Sequence, residues 1–121
     1  MKGHTIELVP SERRVRVEIA GELIAESDRV LELHETGHNT RWYLPLEDVR
    51  EGVLEPSEKT SHCPFKGDAS YYSVRAGGEL HADVVWTYTD PLAAVRDIAG
   101  LVCFYDERVD LVVDPPVESV A

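Results

Sequence analysis

Apolar residues in this chain recur at every second position in runs of about five, and a turn former interrupts nearly every run. Residues 5–9 alternate through Ile6 and Leu8, and Pro10-Ser11-Glu12 turns the chain. Val15, Val17 and Ile19 then alternate with Arg14, Arg16 and Glu18. A period of two puts one set of side chains on a dry face and the other in water, which is the signature of half-buried strands. Gly21 breaks the second run. Residues 22–26 and 29–35 carry weaker alternation, with Leu31 and Leu33 opposed to Glu32 and His34. Thr36-Gly37-His38-Asn39 is turn chemistry, and residues 40–44 read as a strand ending at Pro45. Residues 45–49 suit one helical turn, because Pro is welcome at a first helical position.

Residues 50–70 change character. They are polar, with two prolines and two glycines, and predict a short strand near Val53-Leu54 followed by a long ordered loop. Compact domains rarely devote that length to a loop without a use for it, so the segment is the first place to seek a site. Residues 69–75 and 79–88 flank Ala76-Gly77-Gly78, a hairpin signal. Asp90-Pro91 opens a predicted helix, with Asp90 as N-cap and Pro91 in the first turn. Leu92, Val95, Ile98 and Ala99 form its apolar stripe and Gly100 stops it. Residues 101–105 and 109–113 are closing strands around Asp106-Glu107-Arg108, and 114–116 read as a frayed tail.

About nine short strands with one or two short helices define a mostly β chain: two antiparallel sheets in a compact sandwich or β-tent-like arrangement. An open α+β sheet with the helix on one face is the alternative. With 121 residues, the chain is expected to form a single domain over 1–121.

Charge narrows the partners. Twelve Lys and Arg against 23 Asp and Glu give a net charge of −11, which repels phosphate backbones and anionic lipid. The expected partner is therefore a small molecule, without nucleic acid or membrane, in a monomer or homodimer. The start of the chain lacks the long apolar run of a signal peptide, and the two cysteines have no C-x-x-C neighbour. A cytoplasmic home with reduced thiols is expected, and neither a cofactor nor a metal site is predicted.

Cys63 is the most suggestive residue for chemistry. It precedes Pro64 in Ser61-His62-Cys63-Pro64-Phe65-Lys66-Gly67. Pro64 biases Cys63 toward extended backbone and sets up a turn closing near Gly67, so Lys66 folds back beside the sulfur. An adjacent ammonium or imidazolium favours the thiolate. Cys63 with Lys66 is thus a candidate catalytic pair, His62 a candidate base. The bland reading is a small apolar residue packing a tight turn. Cys103, alternating between Val102 and Phe104, reads as packing.

Aromatic residues cluster at Trp42-Tyr43, Tyr71-Tyr72, Trp86 with Tyr88, and Phe104-Tyr105. Trp and Tyr suit a pocket wall that must also orient a ligand, and they equally suit a sheet core. Arg41, Trp42, Tyr71, Trp86 and Tyr88 are the candidate ligand-binding set. Arg41 either grips an anionic ligand or neutralises a nearby Glu. The five histidines read as exposed strand and turn residues, a distributed Cys63/His62/His81 site being the sharper alternative. Glu47-Asp48 and Asp106-Glu107 read as solvated turns. No G-x-S-x-G, P-loop or G-x-G-x-x-G occurs.

Arg41-Trp42-Tyr43-Leu44-Pro45 followed by Glu47-Asp48-Val49 resembles a bacterial domain-of-unknown-function family, number four hundred and twenty-seven. The resemblance continues through Thr60, Cys63-Pro64-Phe65-Lys66-Gly67 and Ala69-Ser70-Tyr71-Tyr72. Trp86-Thr87-Tyr88 with Asp90-Pro91, and the stretch from Ile98-Ala99-Gly100 to Phe104-Tyr105, complete it. It covers most of the chain from Gly21 onward. It implies a compact antiparallel β domain similar to the β-tent group of ligand-binding and zinc-containing domains. The paired C-x-x-C knuckles of zinc-bearing tents are absent here. The family is sometimes labelled a nucleotidyltransferase, and no Gly-Ser followed by a D-x-D pair supports that activity in this chain.

Three functions are expected, in this order. The first is a binding module with an aromatic pocket closed by the 63–67 turn. The second is a cysteine-dependent transferase or redox enzyme using Cys63. The third is an interaction protein pairing through an exposed strand.

Overall fold

A computed structural model describes residues 3–115. Ten strands follow in order: β1 Ile6–Pro10, β2 Val15–Ile19, β3 Glu22–Ser27, β4 Leu31–Glu35, β5 Arg41–Leu44, β6 Leu54–Cys63, β7 Gly67–Ala76, β8 Glu79–Thr87, β9 Val102–Phe104 and β10 Asp110–Val113. Two 3₁₀ segments, Leu46–Asp48 and Ala93–Ile98, supply the helical turns. The strands form a seven-stranded sheet in the order β1-β4-β5-β9-β8-β7-β6 and a three-stranded sheet β10-β2-β3, every pairing antiparallel. The mostly β, two-sheet architecture expected from the alternation is the one the chain adopts.

Period-two alternation sorts the large sheet into two dry faces. One face packs Leu44, Val74, Val85, Val102 and Phe104 against Val15, Val17, Ile19 and Ile24 of the small sheet. The other gathers Leu33, Tyr43, Tyr71, Trp86 and Cys103 beneath Val95 and Ile98 of the second 3₁₀ segment. The chain thus has two cores back to back, one sealed between sheets and one only partly roofed. A roof that stops short leaves room for a cavity.

Two expectations are corrected. Residues 54–63 form a ten-residue strand, β6, instead of a long loop. Its polarity comes from its place: β6 is the sheet edge, with most residues exposed, and edge strands carry charge and Pro to discourage further pairing. The segment after Asp90 is no α-helix. Leu92, not Asp90, precedes it, no side chain caps it, and Val95 leaves helical geometry at φ −126° and ψ 31°. Its ends are pinned by Leu92 N–H donating to the Lys66 carbonyl (2.9 Å) and Gly100 N–H to the Tyr88 carbonyl (3.0 Å). Between such fixed ends, the period-three 3₁₀ path buries Val95 and Ile98 together. Asp90 instead pairs with Arg96 at 2.8 Å.

Asp114, expected in a frayed tail, is tied by its N–H to the Arg14 carbonyl at 2.8 Å, while Pro116 lies outside the described residues. Gly77 is required where the β7–β8 and β2–β3 hairpin tips meet. It sits at φ 61°, and a Cβ there would lie 2.6 Å from that of Ala20. Among the described residues no helix is long and apolar enough to cross a membrane.

Candidate functional site

Strand register writes an aromatic row across the outer face of the large sheet. Tyr43 on β5 pairs with Cys103 on β9, Cys103 with Trp86 on β8, and Trp86 with Tyr71 on β7. Cys103 is small, so the Trp86 indole N–H reaches past it and donates to the Tyr43 hydroxyl at 3.0 Å. Tyr105 meets Trp86 edge-on, with centroids 4.5 Å apart. The Tyr71 hydroxyl shares a hydrogen bond with Ser61 at 2.8 Å. Burial pushes the Tyr43 phenol and the Cys103 thiol up, so both stay neutral.

This row floors a cavity of about 410 Å³, whose lining includes Cys63, Lys66, Tyr88 and Arg41. Small-molecule sites span roughly 300–1,000 Å³. The cavity exists because the sheet curls. Glu35 ends β4 and Lys66 lies in the β6–β7 turn, four strand steps away, which is roughly 19 Å across a flat sheet. Yet Lys66 Nζ and Glu35 Oε1 are 2.7 Å apart. The ion pair closes the curl, and the His4 ring stacked on Phe65 at 3.8 Å reinforces it.

At this closed end the groups are dry. Lys66 is 8% exposed overall and the Glu35 side chain 9%. His4 Nε2 bonds the other Glu35 oxygen at 2.7 Å, and Lys66 Nζ donates to Cys63 Sγ at 3.6 Å. Burial by itself would raise the Glu35 carboxyl, but the Lys66 and His4 hydrogen bonds and the Lys66 and His38 charges outweigh it and hold it below the usual range. Gly67 is favoured by its backbone at φ 112° and not by lack of space, since a Cβ there would make ordinary 3.6 Å contacts with Asp90 and Pro91, against which the turn packs. That contact sets the turn over the cavity.

Arg41 occupies the opposite rim. Its guanidinium lies 5.2 Å above the Trp86 ring and donates to Asp106 (2.6 Å) and Glu107 (2.9 and 3.1 Å). The Arg41 hydrogen bond holds Glu107 down to about 2. Asp106 moves the other way, raised by burial and by its acidic neighbour. Of the two readings of Arg41, neutralising nearby carboxylates is the one in place. Arg41→Lys keeps the charge but loses the fork, so Glu107 is expected to titrate upward toward the ordinary value of about 4.3. A carboxyl-carbon NMR titration that still finds the wild-type value would refute this.

The cavity brings together Arg41, Cys63, Lys66, Tyr71, Trp86 and Tyr88. Trp42 is not among them. It neighbours Arg41 on a strand, therefore faces the other way, and packs against the inter-sheet core. His62 turns out to Asp68 (2.7 Å) and His81 to the Ala76 carbonyl (3.1 Å), so neither serves Cys63.

Sequence reasoning gives Glu35 no role and reads His4 and His38 only as exposed histidines. A signal existed: His34-Glu35-Thr36-Gly37-His38 has H-E-x-x-H spacing. That spacing aligns two histidines only on a helix. Here it spans a strand end and a turn, and His34 bonds Glu32 (2.9 Å) and Thr40 (3.1 Å), away from His38. Among the described residues no three His, Cys, Asp or Glu side chains converge in a way that could hold a metal.

Fold and site together define a class: a two-sheet antiparallel β domain with an aromatic-floored, charge-latched cavity on the outer face of its larger sheet. Residues 7–115 match the family model NTP_transf_9, described as a domain of unknown function (DUF427), and the chain belongs to that family. A comparison with curated proteins found no match.

Proposed function

We propose that this chain is a small-molecule-binding domain whose ligand lies in the concave cavity, flat against Tyr71 and Trp86. One observation carries the reading: side chains from β5, β7, β8 and the β6–β7 turn, far apart in sequence, converge on one volume of about 410 Å³. Both cations at this volume already have carboxylate partners. The favoured ligand is therefore an uncharged or zwitterionic planar molecule, not a polyanion. The net charge of −11 points the same way, against nucleic acid and anionic lipid. A cytosolic setting suits a chain whose two cysteines are both free.

The test is a thermal-shift and native mass-spectrometry screen of metabolite fractions against wild type and Cys63→Phe, which sets a bulky ring among the residues lining the cavity. A ligand at 100 times its Kd stabilises by about 2.7 kcal/mol. A compound that raises the wild-type midpoint and leaves Cys63→Phe unmoved is the expected result. If every hit shifts both proteins equally, the cavity is not the site.

A further inference from the structure

Tyr88 holds an unused donor. The residue is 6% exposed and lines the cavity, yet its hydroxyl has no hydrogen-bond partner among the described residues. Every fully buried side-chain polar atom there is satisfied, so the small exposed part of Tyr88 includes its hydroxyl, open to the cavity. The hydroxyl is therefore free to donate to whatever occupies the cavity. Burial first, then the nearby Cys63, push its phenol up, so it remains a neutral O–H. Beside it, Cys63 is half-buried on the same cavity, with the Lys66 ammonium at its sulfur.

We propose that the cavity accepts planar α,β-unsaturated carbonyl compounds, with Cys63 adding to the alkene and the Tyr88 hydroxyl holding the carbonyl oxygen. This rests on the cavity-binding reading and names its ligand class. An Sγ–C bond forms at the β-carbon and the alkene π pair moves onto the carbonyl oxygen as an enolate. The thiol proton ends on the α-carbon, leaving a saturated thioether ketone. Nothing is oxidised and no group leaves. Conjugate addition suits this site better than acyl transfer: it needs a donor at the oxygen, which Tyr88 supplies, and no acid to protonate a leaving group, a role that His62, turned out to Asp68, does not fill. The Lys66 ammonium, paired with Glu35, also lies 3.6 Å from the sulfur.

The probe is 4-phenylbut-3-en-2-one, followed by intact mass. One adduct is expected on wild type and none on Cys63→Ser, Cys103 being buried. The labelling rate saturates with probe concentration, whereas glutathione reacts linearly. Tyr88→Phe lowers the limiting rate roughly tenfold or more while labelling by methyl methanethiosulfonate, which has no carbonyl, stays within about twofold of wild type. Labelling linear in probe, or equally fast in Tyr88→Phe, overturns the proposal. The saturated analogue 4-phenylbutan-2-one separates the two claims. If it shields Cys63 from the thiosulfonate while the enone labels linearly, the cavity reading survives and the covalent step falls. If it gives no shielding and the enone does not saturate, this ligand class falls entirely.

Discussion

Lys66→Met is expected to remove about 3 kcal/mol of stability at neutral pH, because breaking a buried pair strands the remaining charge. The stranded group is Glu35, whose side chain is 9% exposed and keeps only His4 and His38 nearby. For a domain with 5–15 kcal/mol in hand, that is a large fraction. The loss has a pH signature. Glu35 titrates below its ordinary value when folded, so its contribution is present above the unfolded pKa and disappears as pH falls through the folded one. Wild type should therefore weaken on acidification below about pH 4.3. Lys66→Met should weaken less over that window, having already lost the interaction. Urea midpoints at neutral and acidic pH check both points. Lys66→Met with Glu35→Leu should recover part of the loss, since apolar replacement of both partners is often neutral. A single-variant loss under about 1 kcal/mol would mean the latch is solvated like a surface pair.

Trp86→Ala is expected to cost about 3–5 kcal/mol, the range for removing a buried large aromatic. Trp86 is 7% exposed and sits at the centre of the row. Its removal takes away the Tyr105 edge contact and the Arg41 cation–π contact, and it strands the Tyr43 hydroxyl on a residue only 1% exposed. Trp86→Phe should cost clearly less, because it retains a ring in the row. Equal losses for the two variants would say that the indole N–H, not the packing, is what matters. A loss of under about 1 kcal/mol for Trp86→Ala would place the residue outside the core altogether.

The Cys63 turn was legible because its geometry is local. Pro64 fixes φ in the turn, Gly67 supplies a positive φ at its end, and Lys66 returns to Cys63 through its N–H and its ammonium. Trp42 was misplaced although the alternation that excludes it was in view: Arg41 and Tyr43 share one face, so Trp42 must take the other. Strand β6 was hidden because an edge strand has little to bury, and without burial polarity mimics a loop. The segment after Asp90 shows propensity yielding to tertiary anchors. Its N-cap and stripe spell a helix, but Lys66 and Tyr88 hold its ends where an α-helix does not fit.

Alternation over short runs was enough to make this a two-sheet β chain, since period-two patterning acts residue by residue. Composition was enough to make it acidic. The partners of its charges were not in the pattern. Glu35 and Lys66, and Arg41 with Asp106 and Glu107, lie in segments that only sheet order and curl bring together. Curvature is a sum over seven strands and their packing, so no local run encodes it, and the cavity is a product of that curvature.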